Sequence, residues 1–151
     1  MVAYTFDIFR KAGIDPRADA VVFGISASLL PASAASELEE WMILNRGIDG
    51  SVDLLTLDDD RYEALKALEN AGYSDEGDGW AVLRYAALSA LGSCGHDLLV
   101  DIESVYSDFD YPSDMETFIY YMPNAGQEGS TDAMVENFRA FMGREKERLG
   151  L

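Results

Sequence analysis

Lysine and arginine are missing from Tyr85 to Phe138, a stretch of 54 residues that holds ten carboxylates: Asp97, Asp101, Glu103, Asp108, Asp110, Asp114, Glu116, Glu128, Asp132 and Glu136. Over the whole chain 11 bases face 28 acids, a formal charge of −17. Phosphate recognition needs clustered Lys and Arg, so this balance argues against a nucleic-acid partner, and it disfavours an acidic membrane surface for the same reason. Cysteine occurs once, at Cys94, which excludes an intramolecular disulfide and any zinc site built from several thiolates. The single histidine, His96, excludes the usual two- and three-histidine metal sites. A long apolar run is also lacking: the longest uncharged stretch, Ala20 to Ser36, has 17 residues but contains Pro31 and four serines, too short and too polar to span a bilayer.

What is present is enough to fold. Hydrophobic residues make up 48% of the 151, with seven Phe, eight Tyr and two Trp, which sets the chain apart from the low-hydrophobicity profile of disordered proteins despite its charge. That length suits one ordinary domain with a core that needs no metal or disulfide. The start of the chain reaches Asp7 before any positive charge and lacks the basic and apolar regions of a signal peptide, so a cytoplasmic protein is expected.

Caps and breakers recur at helical spacing, and alternating strand-type runs are few, which predicts a single all-α domain of about six to eight helices. A first helix over 3–12 is closed by Gly13, and Asp15-Pro16 restarts the chain into a helix that runs to about Leu30, apolar nearly all round. Ser33, or a Ser36/Glu39 capping box, opens a helix over about 34–46 with Leu38, Trp41 and Met42 inward; Gly47 stops it. A short turn around Val52–Leu55 precedes a helix capped by Asp58, with Tyr62, Leu65 and Leu68 as its buried face and Gly72 as its end. Asp78 is placed to cap a helix whose Trp80, Leu83, Ala87, Leu88 and Leu91 form a stripe, broken by Gly92 and Gly95. Leu98, Ile102, Val105, Tyr106 and Phe109 repeat the pattern from Asp97, a short helix follows Pro112, and Thr131 caps a last helix with Val135, Phe138, Phe141 and Met142 inward. Successive hairpins of this kind are compatible with HEAT-like stacking.

The segment Val105 to Pro123, with its Asp108-Phe109-Asp110-Tyr111-Pro112 turn, Glu116-Thr117-Phe118 and Tyr121-Met122-Pro123, preceded by Trp80-Ala81-Val82-Leu83-Arg84-Tyr85, resembles a family of small acidic bacterial proteins of unknown function. The resemblance covers Trp80 to Pro123 and, more loosely, the last helix. It implies an all-α fold and a likeness in size, acidity and type to the immunity proteins that bacteria encode beside secreted polymorphic toxins. No catalytic residue comes with it.

The residues that invite a chemical role are weak candidates for one. Cys94 and His96, one glycine apart, lack a third group to orient them as nucleophile and base. Asp58-Asp59-Asp60 suits a helix N-terminus better than a metal, and Asp75-Glu76-Gly77-Asp78-Gly79 lacks the ligand alternation of a calcium loop. No catalytic residue, metal site or cofactor is therefore assigned. The acidic-aromatic turn reads better as a binding edge, in which Tyr106, Phe109 and Tyr111 serve as anchors and Asp101, Glu103, Asp108, Asp110, Asp114 and Glu116 meet a cationic protein. The expectation is a non-enzymatic, immunity-type protein that covers the basic groove of a toxin domain. A stand-alone helical scaffold or homo-oligomer, and a carboxylate-dependent metal enzyme, are the alternatives.

Overall fold

Apolar residues at helical spacing, interrupted by residues that enter the left-handed region, shape the described part of the chain. The structure, a computed structural model, describes residues 3–46, 60–74, 77–119 and 131–151. Among the described residues there are seven α-helices and one 3-10 segment, with no strand, as the sequence pattern predicts. They are α1 (Ile8–Ala12), α2 (Ala18–Ser26), α3 (Ala34–Arg46), α4 (Arg61–Asn70), α5 (Gly79–Ser89), α6 (Gly95–Asp108), the 3-10 segment (Ser113–Phe118) and α7 (Thr131–Leu149). The chain divides into two compact units, residues 1–83 and 84–151, and the division falls inside α5.

In the first unit α2 is the central element, packed on α3 and α4. Its Ala20, Val21, Val22, Gly24 and Ile25 are buried, a wide apolar arc, while Asp19, Phe23 and Ser26 form a less buried flank. It is shorter than the sequence suggests at both ends. The Asp15-Pro16 start is displaced to Ala18, because Arg17 is still extended (φ −116°, ψ 138°) and the Asp19 carboxylate accepts the Ala20 N–H and the Arg17 guanidinium. At the other end the helix stops at Ser26 rather than Leu30. Ser28 turns left-handed (φ 60°), and the N–H groups of Leu29 and Leu30 both fold back to the Gly24 carbonyl.

Other local expectations are also revised. The 3–12 helix begins only at Ile8, after a bend in which Tyr4 N–H bonds to Leu29 O. Ser36 lies inside α3 and donates to Ser33 O, so no Ser36/Glu39 capping box forms. The cap of α4 is Asp60, whose carboxylate accepts the Glu63 N–H at 3.2 Å. The buried face of α4 is Ala64 and Leu68, with Leu65 half-buried; of the predicted face only Tyr62, 69% exposed, lies outside it. Gly47, the turn at Val52–Leu55, Asp58, Asp59, Asp75 and Glu76 lie outside the described residues.

The second unit packs α7 against α6 and the 3-10 segment. Phe118 is fully buried, with its ring centroid 5.5 Å from Phe138 and 5.1 Å from Phe141. The predicted inward face of α6 is buried throughout, and that of α7 is buried except that Met134 takes the place assigned to the half-buried Met142. The stripe assigned to α5 is a correction: every residue from Ala81 to Leu88 is buried, including Arg84. A stripe argument assumes a solvated back face, and this helix has none over that span.

Candidate partner-binding surface

A buried charge organises the second unit. Arg84 is 1% exposed, and its guanidinium spans two carboxylates: Glu145 on α7 at 2.6 Å, and Asp114 on the 3-10 segment in a forked pair at 2.6 and 3.0 Å. Its Cζ lies 4.9 Å from the centroid of the Phe141 ring, so the cation is held by two carboxylates and an aromatic ring. Glu145 also accepts from Arg148, at 2.7 and 3.0 Å. The Arg148 hydrogen bond draws the Glu145 carboxyl below its ordinary pKa, burial opposes this, and the Arg84 hydrogen bond reinforces it. Sequence reasoning missed this network. Its signal was a lone arginine inside the run from Ala81 to Leu88, a position that demands paired carboxylates elsewhere in the chain.

The Asp108-to-Pro112 turn is the C-terminal cap of α6. Asp110 N–H bonds to Ser107 O at 3.2 Å and Tyr111 N–H to Tyr106 O at 2.9 Å, the two-bond Schellman pattern. Its accompanying hydrophobic contact is the edge-on pair of Tyr106 and Tyr111, centroids 5.2 Å apart. The same pattern closes α1, α2, α4 and α7, with Gly13, Ser28, Gly72 and Gly150 at the left-handed position. Three of those four are glycine, the residue that enters this conformation without steric cost. Ser28 has a folding role to offset it, since Arg61 donates both to its hydroxyl and to Ser26 O.

At α6 the position is held by Asp110 (φ 62°), and Tyr111 beside it is also left-handed (φ 57°). Neither is glycine. No base lies in the last turn of α6, so Asp108 and Asp110 place negative charge at the negative end of the helix dipole, where a cation would be favoured. Among the described residues no hydrogen bond or ion pair engages the Asp110 carboxylate.

The sequence-predicted binding residues separate into distinct settings. Asp110 and Tyr111 are exposed, and so is Asp108, at the end of α6. Tyr106 and Phe109 are buried, so neither is a surface anchor, and Tyr106 instead supports Tyr111. Asp114 is half exposed but holds Arg84. Glu116 is half-buried in the 3-10 segment. On α6, at about 100° per residue, Asp101 and Asp108 fall about 20° apart, whereas Glu103 lies about 160° from Asp101, on the opposite flank of the buried arc. Asp101 also accepts a hydrogen bond from the Ser93 hydroxyl. The structure thus concentrates the acidic-aromatic surface at the helix end and leaves Glu103 outside it. Tyr121, Met122 and Pro123 lie outside the described residues.

Cys94 and His96 are both exposed at the start of α6, where Cys94 is the N-cap residue and its thiol makes no capping hydrogen bond. Among the described residues no three His, Cys, Asp or Glu side chains form a group able to hold a metal ion, and no helix is long and apolar enough to cross a membrane.

The chain belongs to a bacterial family described as uncharacterized protein conserved in bacteria (DUF2247), whose model matches residues 6–146. No curated protein and no solved structure matches it.

Proposed function

We propose, taking membership of that bacterial family as the premise, that the protein is a non-enzymatic binding module and that the C-terminal end of α6 docks a basic protein. The observation that carries this reading is the substitution pattern at the helix ends. Where three other helices of the chain use glycine, α6 uses Asp110, and it does so at a helix terminus whose dipole disfavours an acid. Asp enters this conformation more readily than most L-residues but less readily than glycine, so the backbone alone would favour glycine there. A cationic partner would favour the acid, because its Lys or Arg would neutralise Asp108 and Asp110 and complement the negative pole of the helix, with the exposed Tyr111 as an aromatic contact.

The partner class we favour is a basic toxin domain, with this protein as its immunity partner. The large negative charge would speed encounter, and association would weaken with salt. The test joins binding with stability. Asp110→Gly should raise folding stability by about 0.5–1 kcal/mol by relieving the left-handed L-residue. The same change, like Asp108→Lys and Glu116→Lys, should weaken association with the toxin encoded beside the gene, measured by titration calorimetry at two salt concentrations. Unchanged affinity in all three variants, or no association with any neighbour-encoded toxin, would rule the reading out.

A further inference from the structure

In the first unit a pocket of about 420 Å³ opens between α1, the loop that follows it and Trp41 of α3. Three aromatic side chains line it: Phe6, Phe9 and Trp41. Phe9 is almost completely buried and meets Phe6 edge-on, with centroids 5.7 Å apart, so this wall is braced by the core. The charged lining is Asp7, Asp15 and Arg10. Arg10 is already committed to Asp7, through two hydrogen bonds of 2.6 and 2.8 Å, and Asp15, also in the lining, is exposed.

The field around the pocket is negative beyond its lining. Glu37 lies one helical turn before Trp41 on the same face of α3. Its carboxyl is held above the ordinary value, first by burial and then by repulsion from Glu40 and from Asp7 across on α1. Asp7, Asp15, Glu37 and Glu40 outweigh Arg10 and Lys11, which contacts Asp7 at 3.8 Å. Aromatic side chains beside a net excess of carboxylates make a site for an organic cation, and a planar, weakly hydrated guanidinium fits such walls better than an ammonium. The volume is near the lower end for ligand pockets, suited to one side chain or a small molecule rather than a cofactor.

We propose that this pocket binds an alkylguanidinium group, with Trp41 and Phe6 against the cation and Asp15 as its carboxylate partner. The site is independent of the α6 surface: it belongs to the other unit and shares no residue with it. The probe is L-arginine amide, with citrulline amide as the neutral isostere, titrated into the intact protein while the Trp41 indole and Phe6 signals are followed by NMR. Arginine amide should shift those signals and bind about tenfold more tightly than citrulline amide, the discrimination that roughly one desolvated cation–aromatic contact supplies.

Trp41→Phe should weaken binding severalfold, and Asp15→Lys, a surface change that spares the core, should abolish it. A short peptide with one arginine distinguishes the source. Tighter binding than the amide points to an arginine presented by a protein, equal binding to a small metabolite, and both support the site. Equal binding of the two amides, shifts confined to residues outside the pocket, or arginine binding unchanged in Asp15→Lys would overturn it.

Discussion

Loss of the Glu145 carboxylate should damage the protein far more than loss of the Asp114 carboxylate, although both hold the same guanidinium. The Glu145 side chain is 10% exposed and that of Asp114 48%, while Arg84 is 1% exposed. In Glu145→Leu the buried Arg84 loses its buried carboxylate and keeps the half-exposed Asp114 as its carboxylate partner, and removing one member of a buried pair costs about 3–5 kcal/mol. In Asp114→Ala the cation keeps Glu145 and the Phe141 ring, so the loss should be about 1 kcal/mol, as for a partly screened pair. Arg84→Met removes the charge and refills the space, while Glu145 keeps Arg148; that variant should lose about 1–2 kcal/mol. The double variant Arg84→Met/Glu145→Leu should then be more stable than Glu145→Leu alone, a non-additivity above about 1 kcal/mol. Urea unfolding followed by circular dichroism at pH 7, with the denaturant slope compared across variants, measures all four. The pH dependence has a definite sign. The folded pKa of Glu145 is depressed, so its contribution is complete above the ordinary value of about 4.3 and is lost as pH falls through the folded value; wild type and Glu145→Gln should converge in acid. A larger loss for Asp114→Ala than for Glu145→Leu, or simple additivity in the double variant, would refute the account.

Two further outcomes follow from particular contacts in the first unit. A Cβ on Gly79 would lie 2.5 Å from the carbonyl oxygen of Asp19, in the backbone of α2, whereas one on Gly24 would meet side chains alone, at 2.5 and 2.7 Å from the Leu30 Cδ1 and Cγ and 3.0 Å from Leu83. Gly79→Ala should therefore lower the melting temperature more than Gly24→Ala, whose overpacking of about 1–3 kcal/mol is offset by about 1 kcal/mol of helix propensity. Glu37 has a raised folded pKa, so the native state binds more protons than the unfolded one and stability falls as pH rises through the interval between the ordinary and raised values. Glu37→Gln should accordingly be more stable than wild type at pH 7 and equal to it well below pH 4, as measured by urea midpoints across the pH range.

The helical class and most helix ends were legible in the sequence because they depend on local chemistry. Gly13 and Gly72 close their helices with φ of 73° and 91°, the conformation that such a position needs and glycine supplies. What failed was inference that needed knowledge of burial. Tyr62, Leu65 and Leu68 have acceptable spacing, yet the face that meets the core is Ala64 and Leu68, and small residues such as alanine carry little weight in a pattern built on large ones. The stripe on α5 failed for the opposite reason: a helix buried all round has no preferred face to detect. The pocket beside Trp41 was invisible because its lining joins residues 6–16 to residue 41, and only packing brings them together.

The base-free stretch shows how a count along the chain misleads about a field in space. Its boundary, Arg84, is the residue that reaches back into it and takes Asp114, so one member of the acidic cluster already has its cation inside the fold. Asp101 is partly accounted for by Ser93, and Glu103 faces another direction. Asp110 is different in kind. Packing does not select it, because it is exposed; capping does not, because glycine serves the same position in α1, α4 and α7; and the helix dipole opposes it. A residue that is unfavourable on each of these local grounds is where a requirement from outside the fold is most economically sought. The comparison that isolates it is internal to the chain, between helix ends built on the same two hydrogen bonds.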